Sequence, residues 1–385
     1  MRHIHFTDNE DPQVDKTTKV WKILPFLEHL RQNFLKLHPE QHQAIDEMSI
    51  AYKGKRGPRQ YNAKKPKKWH FTVYCRAGSS GFVYDFELFS GSHPQPPSSA
   101  GVSGDVVIRL TNTLPENKSF KIFADNWFVS LPLIEALQNR GFQFTGTFRP
   151  NRIKISFQDE KQLKTAGRGS HDSLVHPGGN IVAVKWFDNR AVHSVSTYTG
   201  VEPISEIRRF DRKQRDYVSI PCPAIIHEYN SFMGGIDLMD CLVALYKYIF
   251  KSCRWYMYIW HHMLHVALVN SWILYRRHSR SEIPLKTFQL EVAESLMKVS
   301  VPVGRPRMNS ILARLPPKRR RSGEPISSRE TRFDSVGHFP LHCERRSRCK
   351  LCNSPSIFTH LKCCKCDVFL CLTKNKNCFL SYHQK

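Results

Sequence analysis

The chain has 385 residues, with 58 Lys and Arg against 33 Asp and Glu and a formal net charge of +25. Hydrophobic residues at 41% and aromatics at 11% are enough for a real core, which excludes wholesale disorder, and the length exceeds one compact domain. The most apolar stretch, residues 241–275, is broken by Lys247, Lys251 and Arg254, and the N-terminus has no apolar run, so neither a membrane span nor a secretory signal is expected. A cationic surplus of this size points to a polyanion, nucleic acid first, rather than a membrane or a small-molecule substrate.

In chain order, apolar positions Val20, Ile23, Leu24, Leu27, Leu30 and Phe34 predict an amphipathic helix over 15–36, with Pro25 in its first turn or kinking it. The period then changes to two. Residues 70–75 and 82–89 read as strands joined by the Gly78–Gly81 turn, followed by a loop over 93–104 and a helix from Asp105. A short strand over 120–124 ends at Asp125, and a helix over 131–140 stops at Gly141. Residues 180–187 and 191–196 predict a hairpin, and 237–279 is helical and strongly apolar. This order predicts an α/β fold, in which sites form at the carboxyl ends of strands. Asp125 stands at such an end.

Residues 228–240 read EYNSFMGGIDLMD, which puts Asp237 and Asp240 on one helix face just after two glycines. Carboxylates gathered from separate elements suit hard divalent cations in phosphoryl transfer, although Asp at a helix start also reads as an N-cap. The aromatic stripe Trp255, Tyr256, Tyr258 and Trp260 reads as core. Lys64, Lys65, Lys67 and Lys68 read equally as a solvated face or as phosphate contacts.

The wording of EYNSFMGGIDLMD resembles the signature of the piggyBac transposase family. So do residues 124–152 (ADNWFVSLPLIEALQNRGFQFTGTFRPNR), Ile45-Asp46-Glu47 with Lys53-Gly54-Lys55, Gln60-Tyr61 with residues 65–69, and residues 184–188. The resemblance implies a ribonuclease-H-like core interrupted by a β-rich insertion and followed by a cysteine-rich zinc domain. On it the chain divides into a truncated N-terminal helical segment (1–40), core (41–160 and 221–300), insertion (161–220), basic linker (301–336) and zinc domain (337–385). It also implies metal-dependent cutting and joining of DNA by three aspartates. Asp125 matches the second and Asp237 the third, with Asp240 a further acidic match. The first is expected at the end of the first core strand, where this chain has Arg76 after FTVYC. A guanidinium has no lone pair to offer a metal, so cleavage is not expected by the usual route, and Mg²⁺ is implied only for an active enzyme. Asp85 or Asp46 would be the recruited acid in that case.

Residues 301–385 hold a net +13 of the charge and eight of the 12 cysteines lie between Cys343 and Cys378. Cys349-x₂-Cys352 and Cys363-x₂-Cys366, followed by Cys371, Cys378 and His383, carry zinc-knuckle spacing. The resemblance makes His338 the eighth ligand for two structural Zn²⁺ ions, with His342 the alternative and Cys343 and Cys364 spare. Double-stranded DNA is the expected partner, met by Lys318, Arg319, Arg320 and Arg321, by Arg345, Arg346 and Arg348, and by Arg208, Arg209 and Arg212 in a loop. Pro317–Arg321 also resembles a nuclear-import signal, so a nuclear protein is expected. A homodimer or a protein-binding role for the zinc tail are further possibilities that the sequence leaves open.

Overall fold

Ten residues, His42–Ala51 (β1), form the strand on which the sheet is organised, with Ile45 facing one core and Ala44, Met48 and Ile50 the other. In the computed structural model, residues 4–12, 14–91, 96–212, 214–248, 250–298, 329–334, 336–352 and 357–384 are described. Two compact units result, residues 1–301 and 302–385.

In the first unit, helix α1 (Leu24–Leu35) carries Pro25 in its first turn, where the ring's fixed φ and missing N–H suit the helix start. After β1 and the short β2 (Gln60–Tyr61) come β3 (Trp69–Gly78), β4 (Val83–Leu88), α2 (Gly101–Thr111), β5 (Lys121–Ala124), α3 (Leu131–Asn139) and β6 (Gln143–Thr147). Strands β1, β3 and β4 are antiparallel neighbours, while β5 lies parallel to β1 and β6 parallel to β5. Helix α4 (Glu160–Ala166) leads to β7 (His171–Val175), β8 (Val182–Phe187) and β9 (Ala191–Ser196), which extend the same sheet because β9 pairs with β6. The sheet order is β2-β3-β1-β5-β6-β9-β8-β7, with β4 on the far side of β3.

Strands β10 (Ser205–Asp211) and β11 (Asp216–Cys222) make a separate hairpin. Helices α5 (Ala224–Phe232), α6 (Gly235–Leu245), α7 (Trp255–Ser279) and α8 (Leu285–Lys298) follow. Thus the apolar stretch from 237 is two helices, not one. Helices α1, α6 and α7 cover one face of the sheet and α2 and α3 the other. Of the aromatic stripe, Tyr256 is buried in the first of these cores with Ile259, Met263 and Val266, and Trp255, Tyr258 and Trp260 are half-buried against it. Among the described residues no helix is long and apolar enough to cross a membrane.

The second unit contains α9 (Arg329–Arg332), the irregular hairpin β12 (Pro340–Arg348) and β13 (Phe358–Cys363), the two-residue strands β14 (Leu372–Thr373) and β15 (Lys376–Asn377), and α10 (Cys378–His383). Its small core is mostly cysteine: Cys349, Cys363, Cys366, Cys371 and Cys378 with Val368, Leu370 and Tyr382.

Candidate active site and metal centres

The parallel register of β1 and β5 runs to Ile45↔Ala124, so the residues that follow, Asp46 in the middle of β1 and Asp125 just past the end of β5, stand side by side. Both are half-buried. Burial pushes the Asp46 carboxyl up to about 8, with the Glu47 and Asp125 charges adding to the effect and the Glu47 backbone N–H opposing it. Burial also raises Asp125, although the Trp127 N–H donates to its Oδ1 at 2.7 Å. Asp237 is in the first turn of α6 and Asp240 one turn later, on the helix that packs on β1. Burial lifts Asp240 to about 6; Lys67, Lys247 and Lys65 pull it down and Asp237 pushes it up. Burial raises the Tyr229 hydroxyl on α5, and the charges of Asp125, Asp46 and Asp237 add to it, while Asp237 itself is exposed. These carboxylates repel and are not drawn into a closed ligand set. Among the described residues only two Cys/His groups have every donor within 4.8 Å.

Gly235 explains how α6 comes so close: a Cβ there would lie 2.4 Å from the Gly78 carbonyl oxygen. The missing side chain lets the helix approach β3.

Arg76 is elsewhere. It pairs in register with Ile45, not Asp46, and so projects to the opposite face of the sheet, beneath α2. There it is 1% exposed and donates from Nε to the Leu110 carbonyl (2.9 Å), from Nη1 to Gln43 Oε1 (2.6 Å) and from Nη2 to Thr113 Oγ1 (3.0 Å). Asp85 shares that face, wholly buried and held by Arg31. The expectation that Arg76 fills the first acidic position is therefore corrected. The strand next to β5 is β1, its acid is Asp46, and Asp85 is no candidate. The sequence signal for Asp46 was an acid among the apolar positions Ile45, Met48 and Ile50.

All eight expected tail ligands come together, in two groups: His338, Cys363, Cys366 and His383, and Cys349, Cys352, Cys371 and Cys378. The residues fit a soft or borderline metal. His383 Nδ1 is taken by the Phe379 carbonyl at 2.7 Å, while Nε2 is buried with no hydrogen-bond partner. His338 places Nδ1 3.4 Å from Cys363 Sγ and gives Nε2 to Asp334 at 2.9 Å. The Cys371 backbone N–H donates to Cys349 Sγ at 3.3 Å. His342 instead stacks on His360, and Cys343 and Cys364 stay outside both groups.

The expected DNA contacts are placed differently. Arg208 and Arg209 lie in β10 rather than a loop, with Arg208 over Tyr217, Arg209 3.8 Å from Asp188, and Arg212 exposed just beyond. Arg345, Arg346 and Arg348 are exposed on β12, the last two beside the Phe358 ring. Lys318, Arg319, Arg320 and Arg321, with most of the linker, lie outside the described residues.

A family model described as Transposase IS4 matches residues 1–272. Human PiggyBac transposable element-derived protein 2 is 28% identical over 358 residues, covering 91% of this chain and 58% of that protein. Human PiggyBac transposable element-derived protein 3 is 26% identical over 387 residues, covering 99% and 61%. The chain thus spans about three fifths of the length of these curated relatives. A cryo-EM structure of a piggyBac transposase synaptic complex with hairpin DNA shares the fold at a TM-score of 0.64 and 18% identity, over 96% of this chain and 77% of that one.

Proposed function

This chain belongs to the piggyBac transposase family, and from that premise we propose that it is a nuclear DNA-binding protein that retains a divalent-cation site for DNA strand cleavage and transfer. The observation that carries this reading is Asp46 beside Asp125 on adjacent parallel strands, with Asp237 and Asp240 one turn apart on α6, the helix packed on β1. The ground for an inactive copy, Arg76, lies on the other face of the sheet. Hard carboxylate oxygens suit Mg²⁺ or Mn²⁺, which when bound would activate a nucleophile and neutralise charge on a scissile phosphate. Lys65, Lys67 and Lys247, whose charges reach Asp240, would hold the approaching phosphate backbone. Zn²⁺ in the two Cys/His groups would supply the folding free energy that a core of this size lacks. Import would rest on Pro317–Arg321, and a tagged chain with those basic residues changed to alanine should lose nuclear accumulation.

The test of function is relaxation of supercoiled plasmid in Mn²⁺ together with retention of a duplex at about 0.1 M salt. Mn²⁺-dependent nicking that is lost in Asp125→Asn supports the reading. Retention without nicking leaves a DNA-binding protein only, and loss of both contradicts the proposal.

A further inference from the structure

Three lysines reach Asp240 with their charge, and they differ in what holds them. Lys65 pairs with Glu47 at 2.8 Å and donates to Ser49 Oγ at 2.9 Å, so its charge is already matched. Lys67 is exposed just before β3. Lys247 follows α6 by two residues, between the exposed Tyr246 and Tyr248, yet its ammonium is fixed, with Nζ donating to His262 Nδ1 at 3.1 Å.

His262 stands on α7 and is only 4% exposed. An ammonium has no lone pair, so Nδ1 is the acceptor and the ring proton is on Nε2, which faces Met48 Sδ at 2.8 Å. Burial, with the Lys247 charge adding to it, lowers the His262 pKa well below its ordinary value, consistent with a neutral ring. Met48 is the next residue after Asp46 on the same face of β1. The contacts Met48–His262–Lys247 therefore tie the ammonium to the strand that carries Asp46. A neutral acceptor orients a charge without cancelling it, whereas Glu47 cancels that of Lys65. The Lys247 ammonium keeps two of its three N–H donors for a ligand.

We infer that His262 is a positioning residue, which holds Lys247 as a fixed and uncancelled cation for a phosphate oxygen of DNA at the acidic site. Of the three lysines only Lys247 combines a fixed ammonium with an unmatched charge. The inference rests on the DNA reading above and makes a separate demand, that one buried imidazole governs one phosphate contact.

Fluorescence anisotropy of the full chain with a labelled duplex in Ca²⁺, repeated over a range of salt, tests it through a double-mutant cycle. Lys247→Ala, at an exposed position, should bind at least about threefold more weakly, with a salt slope shallower by about one contact. His262→Leu should reproduce both changes, and the double variant should bind no more weakly than Lys247→Ala. His262→Gln, whose amide oxygen can accept from Lys247, should bind like the parent. Heteronuclear NMR of the histidine rings supplies a second readout should His262→Leu not fold. Without DNA, the parent should show a neutral His262 with its proton on Nε2, and Lys247→Ala should shift the Nδ1 signal. Parent-like duplex binding by Lys247→Ala, additive losses in the double variant, no rescue by glutamine, or a His262 proton on Nδ1 overturns the inference alone. Failure of the parent to bind the duplex overturns the DNA reading and this inference with it.

Discussion

Asn in place of Asp46 removes a charge while keeping nearly all else. The Asp46 Oδ1 accepts the Glu47 backbone N–H at 2.8 Å, and an amide oxygen can do the same. Burial and the neighbouring Glu47 and Asp125 charges raise this carboxyl from 3.8 to about 8. A carboxyl whose folded pKa is raised contributes stability that is complete below the unfolded pKa and is lost as pH rises through the folded one. At pH 7 the unfolded chain carries this charge and the folded chain mostly does not. The roughly 3 pH units between 3.8 and 7 then correspond to a ceiling of about 4 kcal/mol at ~1.4 kcal/mol per unit. Half-burial and relaxation at the rim should reduce this to about 1–3 kcal/mol. In Mg²⁺-free buffer Asp46→Asn should therefore unfold several degrees above the parent at pH 7–8, with the gap closing toward pH 5, as followed by intrinsic fluorescence. Adding Mn²⁺ should stabilise the parent and not the variant. A variant less stable than the parent at pH 7, or a gap that does not change with pH, would refute the electrostatic argument.

Three other outcomes follow from the same geometry. Arg76→Met should cost about 3 kcal/mol or more in urea unfolding, because Gln43 and the Leu110 carbonyl lose a buried donor. Gly235→Ala should destabilise the first unit by about 2 kcal/mol, since its methyl meets the Gly78 carbonyl, and should weaken Mn²⁺ binding by displacing Asp237; unchanged stability would contradict the close approach. Chelation of zinc should abolish amide-exchange protection in β12, β13 and α10 while leaving β1, β3 and β5 protected, and equal loss in both units would count against a metal-built tail.

The tail ligands were legible because their information is local. Two CxxC pairs and a closing Cys/His set constrain spacing directly, the resemblance adds His338, and all eight positions converge. The place of Asp125, Asp237 and Asp240 in an acidic set followed from the resemblance, while the strand end at Asp125 and the shared helix face of Asp237 and Asp240 were legible directly. Asp46 was not, because β1 is buried on both faces and HQAIDEMSIA shows no alternation of apolar and polar residues. Without β1, the first strand that alternation reveals is β3, and the residue that follows its FTVYC run is Arg76. A strand's rank in a sheet is a property of long-range pairing, here β1 with β3 on one side and β5 on the other. The β10–β11 hairpin was missed for a related reason. It alternates in exposure, but its cluster of Arg208 and Arg209 with Arg212 just beyond has the look of a basic loop.

The central claim is that Asp46, not Arg76, shares a cation site with Asp125. It is tested most directly by titrating Mn²⁺ against the parent, Asp46→Asn, Asp125→Asn and Arg76→Lys, with free Mn²⁺ read by electron paramagnetic resonance. The account predicts that both Asp variants lose at least about tenfold in affinity, as removal of a charged ligand should cost, while Arg76→Lys binds like the parent. Parent-like binding by Asp46→Asn, or a gain in affinity when Arg76 is changed, would contradict it.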